Sequence, residues 1–66
     1  MSNDVVRIDD VHCIRATEKA LLVEIEGEEY WIPQGQIHND SEVFDADDAG
    51  TLIITEWIAR QKGLVG

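Results

Sequence analysis

Fourteen carboxylates against five lysines and arginines, in a chain of 66 residues, make acids the side chains with the most chemistry to offer. Carboxylates can act as acid–base pairs, as ligands for a hard cation, or as a surface that attracts positive charge. A retaining glycosidase needs two carboxyl groups about 5 Å apart in a substrate cleft, and so short a chain has little material for a cleft once a core is built. Asp45, Asp47, Gly50 and Glu56 fall at positions 1, 3, 6 and 12 of a calcium loop. Position 5 is Ala49, however, and no helix is readable before the loop, so an acidic turn is expected instead. Cys13 beside His12, with His38 further on, has the residue types of a nucleophile and base. Neighbours on a strand point to opposite faces, so His12 is badly placed to serve Cys13, and a buried thiol is expected. The chain has no Gly-rich phosphate loop, no zinc-ligand spacing and no basic patch. These readings predict a protein that is not an enzyme and uses no cofactor or metal.

The order of the charges says more than their total of −9. Every Lys or Arg lies at or before Lys19 or at or after Arg60, and residues 20–59 hold ten acids with no Lys or Arg. Soluble domains ordinarily intersperse the two signs, so this gap favours a binding surface over a merely solvated one. The candidate partner-binding residues are Glu24, Glu26, Glu28, Glu29, Asp40, Glu42, Asp45, Asp47 and Asp48, with Trp31 as an exposed aromatic anchor. Glu24 and Glu26 on one strand face would stand about 7 Å apart, on the scale of neighbouring phosphates in a nucleic-acid strand. Such a surface repels nucleic acid and acidic membranes and attracts basic proteins over a Debye length of about 8 Å. The expected partner is a basic, nucleic-acid-binding protein surface, with no direct contact to nucleic acid or membrane.

These residues need a scaffold, and the scaffold is small. The whole chain, 1–66, reads as one domain with a frayed start at residues 1–4. A core of this size rarely contributes more than about 3–5 kcal/mol net. The single Cys13 can form no internal disulfide, and a lone thiol suits a reducing, cytoplasmic setting. No apolar run approaches the roughly 18 residues that span a membrane.

The pattern predicts an α+β domain of four to five short antiparallel strands with one C-terminal helix. Val5, Val6 and Ile8 begin an extended segment, Asp9-Asp10 suits a turn or bulge, and Val11, Cys13 and Ile14 continue it. Thr17-Glu18-Lys19 reads as a hairpin connection. From Ala20 to Glu26, Leu21, Val23 and Ile25 alternate with Leu22, Glu24 and Glu26, the period of a half-buried strand. Gly27-Glu28 then suggests a type II′ turn, with Glu29–Ile32 returning and Pro33 ending the strand. Trp31 faces away from Tyr30 and Ile32, and two of the three large aromatics (Tyr30, Trp31, Trp57) are expected in the core. Gln34-Gly35-Gln36 suits one 3₁₀ turn, Asn39-Asp40-Ser41 a turn, and Asp45 to Gly50 an acidic loop. Thr51 to Ile54 reads as the last strand. Thr55 caps a helix from Glu56 to about Lys62, ended by Gly63, with Ile54 and Ala59 as a staple.

Trp31-Ile32-Pro33, a short turn and Ile37 resemble the end of an SH3-like barrel, one topology these strands would fit. Over residues 16–64 the chain also resembles a group of small acidic phage and prophage proteins. The similarity is carried by Ala16–Ile25, Gly27–Pro33, Ile37, Asp40–Val43, Gly50–Leu52, Glu56–Ala59 and Lys62–Leu64. The group has no enzyme motif and transfers no functional residue. Size and charge are further similar to anti-CRISPR proteins, several of which match DNA in charge. That resemblance implies a stoichiometric inhibitor of a host defence complex, acting as an acidic DNA mimic in the bacterial cytoplasm. The alternative it leaves is an SH3-like phage accessory module that binds a basic replication or recombination protein.

Overall fold

The structure, a computed structural model, describes residues 4–64. Strands β1 (Val5–Ala16), β2 (Ala20–Ile25), β3 (Glu28–Pro33) and β4 (Ala49–Thr55) form one antiparallel sheet in the order β3-β2-β1-β4. Helix α1 (Glu56–Gln61) follows β4 directly. This is the α+β architecture expected from the pattern. The 3₁₀ turn at Gln34–Gln36 is also where it was expected. Of the predicted frayed start, residues 1–3 lie outside the described residues, while the Asp4 carbonyl accepts the Glu56 N–H at 3.1 Å.

Strand β1 owes its shape to two irregularities. Val6 and Ile8 pack against the core, and so do Val11 and Cys13, although the two pairs differ in parity. A bulge between Ile8 and Val11, where Asp10 has φ 59°, inserts the residue that resets the alternation. A second shift between Cys13 and Arg15 brings Ala16 inward opposite Leu21.

Strand β2 alternates as predicted, with Leu21, Val23 and Ile25 buried. The turn after it differs from expectation. Its central residues are Glu26 and Gly27, with φ of 52° and 84°, the positive pair of a type I′ turn rather than a glycine-first II′ turn. The register decides this: Ile25, the last inward residue of β2, pairs with Glu28, which leaves only Glu26 and Gly27 between the strands. Strand β4 begins at Ala49, two residues earlier than the side chains suggest. Ala49 and Gly50 pair with His12 and Val11 through the backbone and carry no apolar signal of their own.

The outer edge of β4 is covered by the segment after the 3₁₀ turn. Ile37 bridges Ile54, the His38 N–H donates to the Ile53 carbonyl at 2.8 Å, and the Glu42 N–H to the Thr51 carbonyl at 2.9 Å. Buried Ser41 accepts from the N–H groups of Val43 and Ile53 through Oγ, both at 3.2 Å. The chain leaving β3 thus returns to the far side of β4. Among the described residues no ladder joins β3 to β4, so the sheet does not close on itself and β3 remains an edge.

Val11, Cys13, Leu21, Val23, Ile32, Val43, Leu52 and Ile54 are fully buried, and Ile58 and Ala59 of α1 cover them. The core is aliphatic, contrary to the expectation that two large aromatics fill it. Trp31 and Trp57 are 45% and 60% exposed, and Tyr30 only flanks the core. Helix α1, at six residues, is too short to persist alone. Thr55 Oγ1 caps it by accepting the Ile58 N–H, and Ile54 and Ala59 are both buried at the staple positions. At its far end the Leu64 N–H reaches the Ala59 carbonyl and Gly63, at φ 72°, the Arg60 carbonyl, which is the Schellman arrangement.

Candidate functional site

The sheet face turned away from the core carries the densest group of predicted binding residues. Side chains alternate along β2 and β3, so burying Leu21, Val23 and Ile32 sends Leu22, Glu24, Glu29 and Trp31 to the opposite side. The registers align them in two rows. In one, Trp31 pairs with Leu22 and Leu22 with Arg15. In the other, Glu29 pairs with Glu24 and Glu24 with His12. His12 Nε2 then lies 3.9 Å from Asp47 Oδ1, which joins the acidic loop to the hairpin. Among the described residues no Lys, Arg or hydrogen-bond donor meets the carboxylates of Glu24 and Glu29.

That loop is held against β1 by backbone bonds. Cys13 donates to the Asp48 carbonyl and Asp47 to the Cys13 carbonyl, both at 2.8 Å. Asp48 closes the turn from within: its Oδ2 accepts the N–H groups of Asp45 at 2.9 Å and Phe44 at 3.1 Å. These bonds to the Asp45 and Phe44 amides hold its carboxyl below the usual carboxylate range. A folded-state pKa below the unfolded one contributes stability above about 3.8, and that contribution is lost as pH falls through the folded value. Asp48→Asn is therefore expected to loosen the 44–48 turn at pH 7 and to remove its share of the acid sensitivity. Amide shifts of Phe44 and Asp45, followed from pH 6 to pH 2, would check this. Identical titrations of the two proteins would refute it.

The other predicted residues go elsewhere. Glu26 sits in the I′ turn, off the strand, so the 7 Å same-face spacing with Glu24 does not hold. Glu28 shares the core side with Tyr30, whose hydroxyl donates to Glu28 Oε2 at 2.9 Å and whose pKa that bond raises. Both glutamates line an open cleft of about 630 Å³ with Asp9 and Asp10, over Val6, Ile8 and Ile25. Asp40 is exposed beyond β4, 3.7 Å from His38. Glu42 is structural, its Oε1 accepting the Thr51 N–H at 2.8 Å. Asp45 remains exposed at the loop tip.

The calcium register fails on geometry as well as on Ala49. Extended β4 separates Asp45–Asp48 from Glu56 by about 20 Å at 3.3 Å per residue. Glu56 instead meets Arg60 at 3.2 Å. Among the described residues no group of three His, Cys, Asp or Glu side chains is arranged to hold a metal ion. Cys13 is buried, and burial first, then the charges of Asp48, Asp45 and Asp47, pushes its thiol pKa up. His12 stands exposed on the opposite face.

Sequence reasoning puts Leu22 on the Glu24 side of its strand and His12 opposite Cys13, but counts neither among the binding residues. Their parity relative to Cys13 and Leu21 was a usable signal. It also missed Asp9, whose Oδ1 accepts the Thr51 hydroxyl at 2.9 Å, because that pairing depends on the bulge. No helix among the described residues is long and apolar enough to cross a membrane. No protein-family model, curated protein or solved structure matches the chain.

Proposed function

We propose that this protein is a binding domain whose outer sheet face docks on a basic, nucleic-acid-binding protein surface. The observation that carries the reading is the Glu24–Glu29 pair. Like charges directly opposite across antiparallel strands destabilise a sheet. Here, among the described residues, they have no Lys or Arg partner, with Asp47 lying beyond His12 in the same row and the half-exposed Trp31 in the next. A surface that works against its own fold in this way is stabilised when a partner supplies positive charge. The size, charge and phage-type resemblance point to a host defence complex as that partner, blocked stoichiometrically in the bacterial cytoplasm by a mimic of DNA charge.

The experiment is charge reversal at Glu24, Glu29 and Asp47, each to Lys, measured against the basic complex recovered by affinity purification from bacterial lysate. Affinity should fall at least tenfold, about 1.4 kcal/mol, and lose its salt dependence, while thermal stability is unchanged or raised. Undiminished binding by the triple variant would overturn the proposal. The exposed Trp31, paired with the half-buried Leu22, favours a second reading, an accessory module anchored on the aromatic ring. In that case Trp31→Ala weakens binding more than charge reversal does, and binding tolerates salt.

A further inference from the structure

The two sides of the sheet are finished differently. The outer side of β4 is occupied by residues 37–42, whereas β3 has only β2 beside it. A two-residue turn makes Ile25 and Glu28 a hydrogen-bonded pair, and antiparallel pairs then alternate. Tyr30 and Ile32 therefore bond inward to Val23 and Leu21. Glu29 and Trp31, opposite Glu24 and Leu22, point their N–H and C=O groups away from the sheet. Among the described residues no other element takes those groups. Pro33, with no N–H to offer, ends this edge as edge prolines do.

Natural sheets guard such an edge with charges, prolines, bulges or a covering segment. The guards on β3 are Pro33 at its end and the negative charges of Glu28 and Glu29; its register with β2 is regular over all six pairs, without a bulge, and no segment among the described residues covers it. Two negative charges, with Glu24 and Glu26 alongside, discourage a second copy of this strand or any acidic strand. They favour an extended segment bearing Lys or Arg. We infer that β3 takes up a Lys- or Arg-bearing extended segment of the partner as a fifth strand, bonded to the backbone of Glu29 and Trp31. In that position a cationic side chain of the added strand faces Glu29, and its neighbour two residues away lies over the Trp31 ring. The inference rests on the proposed basic partner and names the way that partner is held.

The test uses ¹⁵N-labelled full-length protein and three capped hexapeptides: alternating Lys and Val, the same peptide N-methylated at alternate residues, and alternating Glu and Val. The Lys peptide should shift the Glu29 and Trp31 amides and slow their hydrogen exchange at least tenfold. The N-methylated and Glu peptides should do neither. Glu29→Pro should abolish the effect, because it removes an outward donor and leaves the β2 ladder intact, whereas Glu29→Gln should retain part of it. Equal binding by the N-methylated peptide, or shifts confined to His12, Glu24 and Asp47, would overturn strand addition while leaving the acidic face standing. No shift anywhere with the Lys peptide would overturn both.

Discussion

Replacing Leu52 by alanine is expected to leave much of the protein unfolded at 25 °C. Leu52 is fully buried in the middle of β4, opposite Ile8 and inside the single aliphatic core. A Leu→Ala change at such a site costs about 2–5 kcal/mol, the lost transfer energy plus the cavity left behind. The whole domain has about 3–5 kcal/mol to lose, with no disulfide to restrain the unfolded chain. Trp57→Ala is the contrast. Its ring is the most exposed large apolar side chain among the described residues, and its removal should shift stability by no more than about 0.5 kcal/mol. Urea denaturation followed by circular dichroism distinguishes the two. A Leu52→Ala protein with a near-normal midpoint would mean that the core is not where the structure puts it.

Gly50→Ala should be nearly as damaging, for a different reason. Gly50 has φ 143°, a region closed to side chains, and a Cβ there would lie 2.6 Å from Glu42 Oε1. Backbone strain of roughly 1–3 kcal/mol adds to about 1 kcal/mol for the displaced bond from the Thr51 N–H, or about 2–4 kcal/mol in all. Glu42→Ala removes both the bond and the obstruction. The double variant should therefore cost less than the sum of the singles, by about 0.5–1 kcal/mol. Strict additivity of the measured values would show that Glu42 does not hold the Gly50–Thr51 backbone, returning it to the set of free acids available to a partner.

Much of the fold was legible because apolar alternation and turn chemistry agree locally. Leu21, Val23 and Ile25 marked β2, Asp9-Asp10 marked the bulge, and Thr55 with Gly63 bracketed the helix. What failed to show was decided by the register of strand pairing. The I′ turn follows from the Ile25–Glu28 register, and the early start of β4 from pairing with His12 and Val11. The site was legible in composition and only partly in membership. An acidic side chain looks the same in sequence whether it is free like Glu29, bonded to backbone like Asp48 and Glu42, or turned toward a tyrosine like Glu28. Charge and exposure do not separate these cases; hydrogen bonds set apart Glu28, Glu42 and Asp48, and strand parity sets apart Glu24, Glu29 and Trp31.

The pairing of β1 with β4 also governs when this protein can fold during its own synthesis. Val5 finds its neighbour in Thr55, and the Asp4 carbonyl bonds to Glu56, so fifty residues separate the two halves of one ladder. The two hairpins of β1, β2 and β3 can form as they leave the ribosome. Val6, Ile8 and Val11 stay uncovered until Leu52 and Ile54 are made, a wait of several seconds at about 5–20 residues per second. During that interval the nascent chain presents its apolar side to solvent, and its acids, spread from Asp9 to Glu29, are what keep neighbouring chains apart.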